Sequence, residues 1–182
     1  MRTLIHACLV TLGLQVATAL SALQAQAQAA PAQDKSANRA CALLTDQEID
    51  AATGLDYEAA EPGDDPGPSG TASCVWGGAS FAPGASRPQL GVMLTQMRPG
   101  AVNAPFPAAP PPAGCTRETL GGVGDKAYLE LCERSRGLKA NVKVGRNRIM
   151  LQLDPERGKP LESAKPALVA LAKAAALRAK GV

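Results

Sequence analysis

The last third of the chain alternates apolar and polar residues with the two-residue period of half-buried β-strands. The apolar positions are Leu138, Ala140, Val142 and Val144 in one segment and Ile149, Leu151 and Leu153 in the next. Between them, Gly145-Arg146-Asn147 is typical of a tight turn. The pattern therefore predicts two neighbouring antiparallel strands.

Three earlier segments, residues 72–76, 89–95 and 126–132, are also predicted to be strands. The third follows Gly121-Gly122-Val123-Gly124, which lacks the Lys-Ser/Thr of a phosphate-binding loop, so we interpret it as a tight turn. Residues 61–70 are expected to form an exposed loop without helix or strand. Residues 98–114 contain six prolines and are expected to form a stiff connector. A PxxP ligand motif from Pro107 to Pro110 is the alternative for part of that connector.

Two helices are predicted at the ends of this region. Thr45 and Glu48 have capping-box spacing before a short helix over residues 46–52, which ends near Gly54. The last helix covers residues 163–180, with Ser163 as its N-cap and a Gly181 cap. Its buried stripe consists of Leu168, Leu171, Ala172 and Ala175. The fold class is therefore α+β: an antiparallel sheet of about five strands with both helices packed on one face.

The N-terminus has the pattern of a secretory signal peptide. Arg2 precedes an uncharged apolar stretch, and small residues then offer cleavage sites after Ala25, Ala27 or Ala29, of which we prefer the last. A single membrane anchor is the alternative, but the stretch is short and no basic cluster follows it. We therefore expect residues 1–29 to be the signal, 30–40 a disordered lead-in and 41–182 a single domain. The mature chain would be periplasmic or secreted, without a transmembrane segment.

Four cysteines remain after the signal is removed, and an even number in an exported chain indicates two disulfides. Three pairings are possible. We favour Cys41–Cys74 and Cys115–Cys132, because each closes a compact local loop. A zinc site is the alternative, but no two cysteines have C-x2–4-C spacing.

The mature chain lacks histidine, since His6 is the only one in the sequence. This excludes Ser-His-Asp and Cys-His catalysis as well as histidine metal sites. Eight carboxylates lie within residues 46–65. They raise the alternatives of a carboxylate hydrolase and a weak calcium site, although aromatic residues for a sugar cleft are few and EF-hand spacing is absent. We expect no enzymatic activity and no cofactor. Trp76 is expected to pack in the core beside Cys74.

Charge is distributed unevenly along the chain. Residues 30–65 carry a net charge of −7, whereas residues 116–182 carry +7. Alternation places Lys139 and Lys143 on one exposed strand face, and Arg146 and Arg148 lie nearby. These four residues are the candidate binding site for an envelope protein or an anionic lipid or polysaccharide. They have the alternative role of protecting exposed strands from aggregation. The total charge of +3 is too small to indicate a nucleic-acid partner.

Three short motifs resemble a known family. They are Cys41-Ala42-Leu43-Leu44-Thr45 with Glu48-Ile49, then Cys74-Val75-Trp76, and Gly122-Val123-Gly124-Asp125-Lys126-Ala127-Tyr128. The chain resembles small exported bacterial domains of unknown function, best known as actinobacterial lipoproteins. It is also similar to the extracellular sensor domain of mycobacterial receptor serine/threonine kinases. The resemblance implies an α+β fold, a disulfide from the first helix to the strand at Cys74, and no known enzymatic activity. This chain lacks the lipobox of the actinobacterial members.

Three functional hypotheses follow from the sequence. The first is a non-enzymatic exported binding domain. The second is a carrier of a small apolar or lipid ligand held between helix and sheet, and the third is a carboxylate-based hydrolase.

Overall fold

The computed structural model describes residues 37–68, 70–78, 87–133, 137–155 and 158–181. The predicted signal peptide lies outside these residues. Asn38, within the predicted lead-in, is 5% exposed. The Asn38 side chain donates to the Gly63 carbonyl and accepts from the backbone N–H of Ala40. The described end of the predicted lead-in, residues 38–40, is therefore packed with the domain.

A single antiparallel sheet of seven strands forms the centre of the domain. The strands are β1 (Glu61–Pro62), β2 (Thr71–Trp76), β3 (Gln89–Gln96), β4 (Cys115–Thr119), β5 (Lys126–Cys132), β6 (Gly137–Val144) and β7 (Asn147–Asp154). Their order across the sheet is β1-β2-β3-β7-β6-β5-β4. All five predicted strands are present, and the turn between β6 and β7 lies where the sequence predicts it.

The predicted number of about five strands is wrong, because the two edge strands do not show the alternation of apolar and polar residues from which strands are predicted. β4 contains only polar residues after Cys115, and its side chains are half-buried or exposed. β1 is two residues long and lies inside residues 61–70, which were expected to contain no strand. Edge strands have one neighbour and little buried surface, so their sequences carry a weak periodic signal.

Two helices cover one face of the sheet. A 3-10 turn, Cys41–Leu43, precedes α1 (Asp46–Thr53), whose capping box joins Thr45 and Glu48 and whose C-cap Gly54 has φ 69°. α2 (Lys165–Arg178) follows a 3-10 turn, Leu161–Ala164, and the predicted apolar stripe on α2 is buried. Ser163 is not the N-cap, because α2 begins after Ala164; its hydroxyl donates to the Pro160 carbonyl instead.

The core lies between this helical layer and the inner face of the sheet. Leu94, Leu151, Leu138 and Leu168 are all completely buried. Trp76 is 1% exposed and its indole N–H donates to an Asp46 carboxylate oxygen over 2.8 Å, which confirms its core position.

Both disulfides pair as expected. Cys41 bonds to Cys74 and Cys115 bonds to Cys132. The first joins the 3-10 turn before α1 to β2, and the second joins edge strand β4 to β5. Two disulfides are typical of proteins that fold in an oxidising compartment. Within the residues that the structure describes, no helix has both the length and the apolar composition needed to cross a bilayer.

Candidate functional site

The face of the sheet opposite the helices is called the outer face here. It carries three of the four basic residues that the sequence singles out, and the fourth lies at its end. Strand register arranges its side chains in rows that run across the strands. One row consists of Arg148, Lys143 and Lys126, the next of Met93, Met150, Asn141 and Tyr128, and a third of Gln152, Lys139, Glu130 and Arg117. Lys139, Lys143 and Arg148 therefore share one face, while Arg146 lies in the turn at its end.

The first row places like charges directly opposite one another. Lys143 pairs in register with Arg148 on one side and with Lys126 on the other. Such pairs repel at the short distance between neighbouring strands. Among the described residues, no carboxylate forms an ion pair with any of these three cations. The row therefore concentrates positive charge at a cost to the isolated domain.

The proline-rich segment, residues 98–114, lies against part of this face. Lys143 donates through Nζ to the Val102 carbonyl, and the Arg148 guanidinium lies 5.3 Å from the centre of the Phe106 ring. Arg146 donates through Nε to the Met97 carbonyl over 3.2 Å. Lys143 and Arg148 thus also hold this segment in place, while Arg146 binds the residue just before it. Lys139 lies half-buried across from Glu130.

Arg117 makes most of the side-chain contacts in the third row. The sequence analysis did not identify this residue. Its Nε and Nη2 atoms donate to Glu130 Oε1 over 3.1 and 2.5 Å, and its Nη1 donates to the Ala109 carbonyl. The guanidinium also lies 4.5 Å from the centre of the Tyr128 ring, which in turn lies 5.1 Å from Phe106. Burial, followed by the Glu130 carboxylate, raises the pKa of Tyr128. Arg117 therefore joins the sheet, the aromatic pair and the proline-rich segment.

A cleft of about 560 Å³ opens between the proline-rich segment and the glycine turn before β5. Phe106 and Tyr128 supply aromatic walls, and Arg117 and Lys126 supply positive charge. Gly124 is required here, because its φ is 58° and a Cβ would lie 2.6 Å from the Lys143 carbonyl oxygen. The cleft is therefore a preformed concavity beside the row of cations.

The middle row adds an apolar patch. Met93 and Met150 are cross-strand neighbours, and Met93 is 39% exposed. Methionine side chains are flexible and polarizable, and they are common on surfaces that bind other proteins. The outer face thus combines methionine, an aromatic pair, arginine and lysine.

The acidic residues of the N-terminal part do not form a comparable site. Glu48 pairs with Arg178, Asp65 with Arg39 and Glu58 with Arg87. Within the described part of the chain, no three His, Cys, Asp or Glu residues are placed to share a metal ion.

Two of these ion-paired carboxyl groups, those of Glu48 and Asp65, are also poorly suited to donate a proton. Hydrogen bonds from Arg178 lower the pKa of Glu48, and those from Arg39 lower the pKa of Asp65 to about 2. A general acid needs a pKa shifted in the opposite direction. These two residues therefore stabilise the fold through their ion pairs.

Comparison of the chain with protein-family models, curated proteins and solved structures finds no match. The function must therefore be argued from the site itself.

Proposed function

We propose that this protein is an exported, non-catalytic binding domain whose outer face docks an acidic protein surface. The observation that carries the proposal is the row of Lys126, Lys143 and Arg148, which lie opposite one another and, among the described residues, form no ion pair with a carboxylate. An arrangement that destabilises the free domain is expected where a partner supplies the missing charge. The resemblance described in the sequence analysis, which implies no known enzymatic activity, agrees with a binding role.

The surroundings of the row favour a protein over a small ion as partner. Protein interfaces are enriched in methionine, aromatic residues and arginine near their centre. Here Met93, Phe106 and Arg148 supply those groups, while Lys126 and Lys139 supply charge beside them. An acidic partner with some apolar surface is complementary to this combination.

The charge contribution can be tested while the hydrogen bond from Lys143 and the ring contact of Arg148 to the proline-rich segment are kept. Lys126→Gln combined with Lys139→Gln removes two cations that, among the described residues, form no hydrogen bond with that segment, although Lys126 lines the cleft beside it. Lys173→Gln combined with Lys180→Gln removes two exposed cations from the helical side and is the matched control. The probe is poly-L-glutamate, titrated by calorimetry against the oxidised protein at low and high salt.

We expect the outer-face variant to bind about three- to tenfold more weakly, because each ion pair made by an exposed or half-buried lysine contributes up to about 1 kcal/mol. We expect the control to bind like the wild type, and high salt to weaken binding to the wild type. Equal losses in the two variants would mean that only net charge matters. Binding to phosphatidylglycerol vesicles without binding to poly-L-glutamate would replace the acidic protein with an anionic membrane.

A further inference from the structure

The cleft beside the proline-rich segment has features that the row of cations does not explain. Its volume of about 560 Å³ lies within the range of ligand pockets. Its walls are mostly apolar and include Phe106, Pro107, Leu120 and Tyr128. Aromatic rings pack well against other aromatic rings, and large apolar side chains that fill pockets carry much of the energy of protein interfaces. The cleft is therefore suited to an aromatic side chain of a partner.

Lys126 adds a positive charge to the lining of this cleft. Its side chain is exposed and, among the described residues, forms neither an ion pair nor a hydrogen bond. The other charged groups of the lining are engaged. Arg117 binds Glu130, and the Asp125 carboxylate accepts a hydrogen bond from the Gly145 N–H. A carboxylate that enters the cleft beside an aromatic side chain would therefore meet an ammonium group without an ion pair.

The open edge of β4 brings backbone hydrogen-bonding groups to the same cleft. The Leu120 N–H donates to the Ala127 carbonyl, and such bonds involve every second residue along an antiparallel pair. Arg117 and Thr119 therefore direct their N–H and C=O groups away from β5, and both residues line the cleft. Among the described residues, none forms a hydrogen bond with these groups. Unpaired groups at a sheet edge can pair with an additional strand.

An extended peptide is complementary to all three features. We propose that the acidic partner inserts an extended segment into this cleft. Its backbone pairs with β4, one aromatic side chain packs against Phe106, and a carboxylate on the same side of the segment binds Lys126. In this mode of recognition the main-chain hydrogen bonds supply affinity and the side-chain pocket supplies specificity. The inference rests on the proposed function, because it names the element of the acidic partner that binds.

Two short peptides test the aromatic side chain. Both carry glutamate at every position except the centre, which is phenylalanine in one peptide and alanine in the other. Binding to the oxidised protein is measured by calorimetry. We expect the phenylalanine peptide to bind about five- to tenfold more tightly, because part of its ring is removed from water. Equal affinities would overturn this proposal but leave the proposed function standing. Failure of both peptides and of poly-L-glutamate to bind would refute the two together.

Filling the cleft gives a second test. Gly121 lines the cleft, its φ lies outside the left-handed region, and a Cβ there would meet no atom within 4 Å. Gly121→Leu should therefore fold normally and abolish the preference for phenylalanine, while binding of poly-L-glutamate is unchanged. Gly181→Leu, at an equally open glycine after α2, is the matched control and should keep the preference. A preference retained by Gly121→Leu would place the aromatic side chain elsewhere and overturn the proposal.

Amide hydrogen exchange, followed by NMR, tests the backbone pairing. In the presence of saturating phenylalanine peptide, we expect exchange at the N–H groups of Arg117 and Thr119 to slow by about tenfold or more, because both become hydrogen-bonded. Unchanged exchange at both groups would mean that the peptide binds without adding a strand, and would overturn the proposal.

Discussion

Replacing Arg117 with methionine tests how the outer face is held together. The substitution removes both bonds to Glu130, the bond to the Ala109 carbonyl and the stacking on Tyr128, while it keeps much of the apolar stem. It leaves the Glu130 carboxylate without its guanidinium partner at a residue that is only 9% exposed.

The magnitude follows from the burial of this pair. The side chains of Arg117 and Glu130 are 16% and 11% exposed, so the pair is largely but not completely desolvated. Breaking a buried ion pair by removing one partner costs about 3–5 kcal/mol. Because Lys139 lies directly across from Glu130 and supplies some compensating charge, we expect a loss of about 3 kcal/mol in the free energy of unfolding.

The matched variant removes both charges. Arg117→Met combined with Glu130→Met should unfold within about 1.5 kcal/mol of the wild type, because no buried charge remains unpaired. Urea titration of the oxidised proteins, followed by circular dichroism, measures all three. The reasoning is refuted if the single variant loses less than about 1 kcal/mol, or if the double variant is as unstable as the single one.

Two further predictions concern stability. Paired serine substitutions at Cys41 and Cys74 should cost about 3.7 kcal/mol, against about 3.1 kcal/mol at Cys115 and Cys132, because the bonds close segments of 33 and 17 residues; urea titrations that give the reverse order would contradict this. For Asp65, the folded-state pKa of about 2 lies below the ordinary value of 3.8, so its contribution is complete above about pH 5 and is lost as the pH falls through about 2. Asp65→Asn should therefore lower the free energy of unfolding by about 1 kcal/mol at neutral pH and by little at low pH. The same substitution at the exposed neighbour, Asp64→Asn, should leave the free energy of unfolding unchanged at neutral pH. If the two variants show the same dependence of stability on pH, the assignment to Asp65 is refuted.

The sequence predicts the centre of this fold better than its edges. β6 and β7 alternate apolar and polar residues because one of their faces meets α2, and the same burial determines the apolar stripe on α2. The apolar pattern does not predict β4, because its side chains are largely polar and, among the described strands, it pairs with β5 alone. Ser163 is suited to an N-cap, but the chain continues through a 3-10 turn, so helix propensity alone does not locate the boundary.

The candidate sites depend more strongly on tertiary structure. Alternation correctly places Lys139 and Lys143 on one face, since side-chain direction in a strand follows from position. That Lys126 and Arg148 flank Lys143 depends on the register of three strands, which the sequence pattern does not specify. The docking of Phe106 onto Tyr128 and Arg148, and the cleft beside the proline-rich segment, depend on segments far apart in the chain.

The central claim, that the outer face receives an acidic partner, is tested most directly by mapping where such a partner contacts the protein. The measurement is a two-dimensional amide NMR titration of the oxidised, isotope-labelled protein with poly-L-glutamate. We predict shifts at Lys126, Lys143 and Arg148 and at the neighbouring Met93 and Met150, which diminish at high salt. Shifts confined to the exposed side of α2, or none anywhere, would contradict the account.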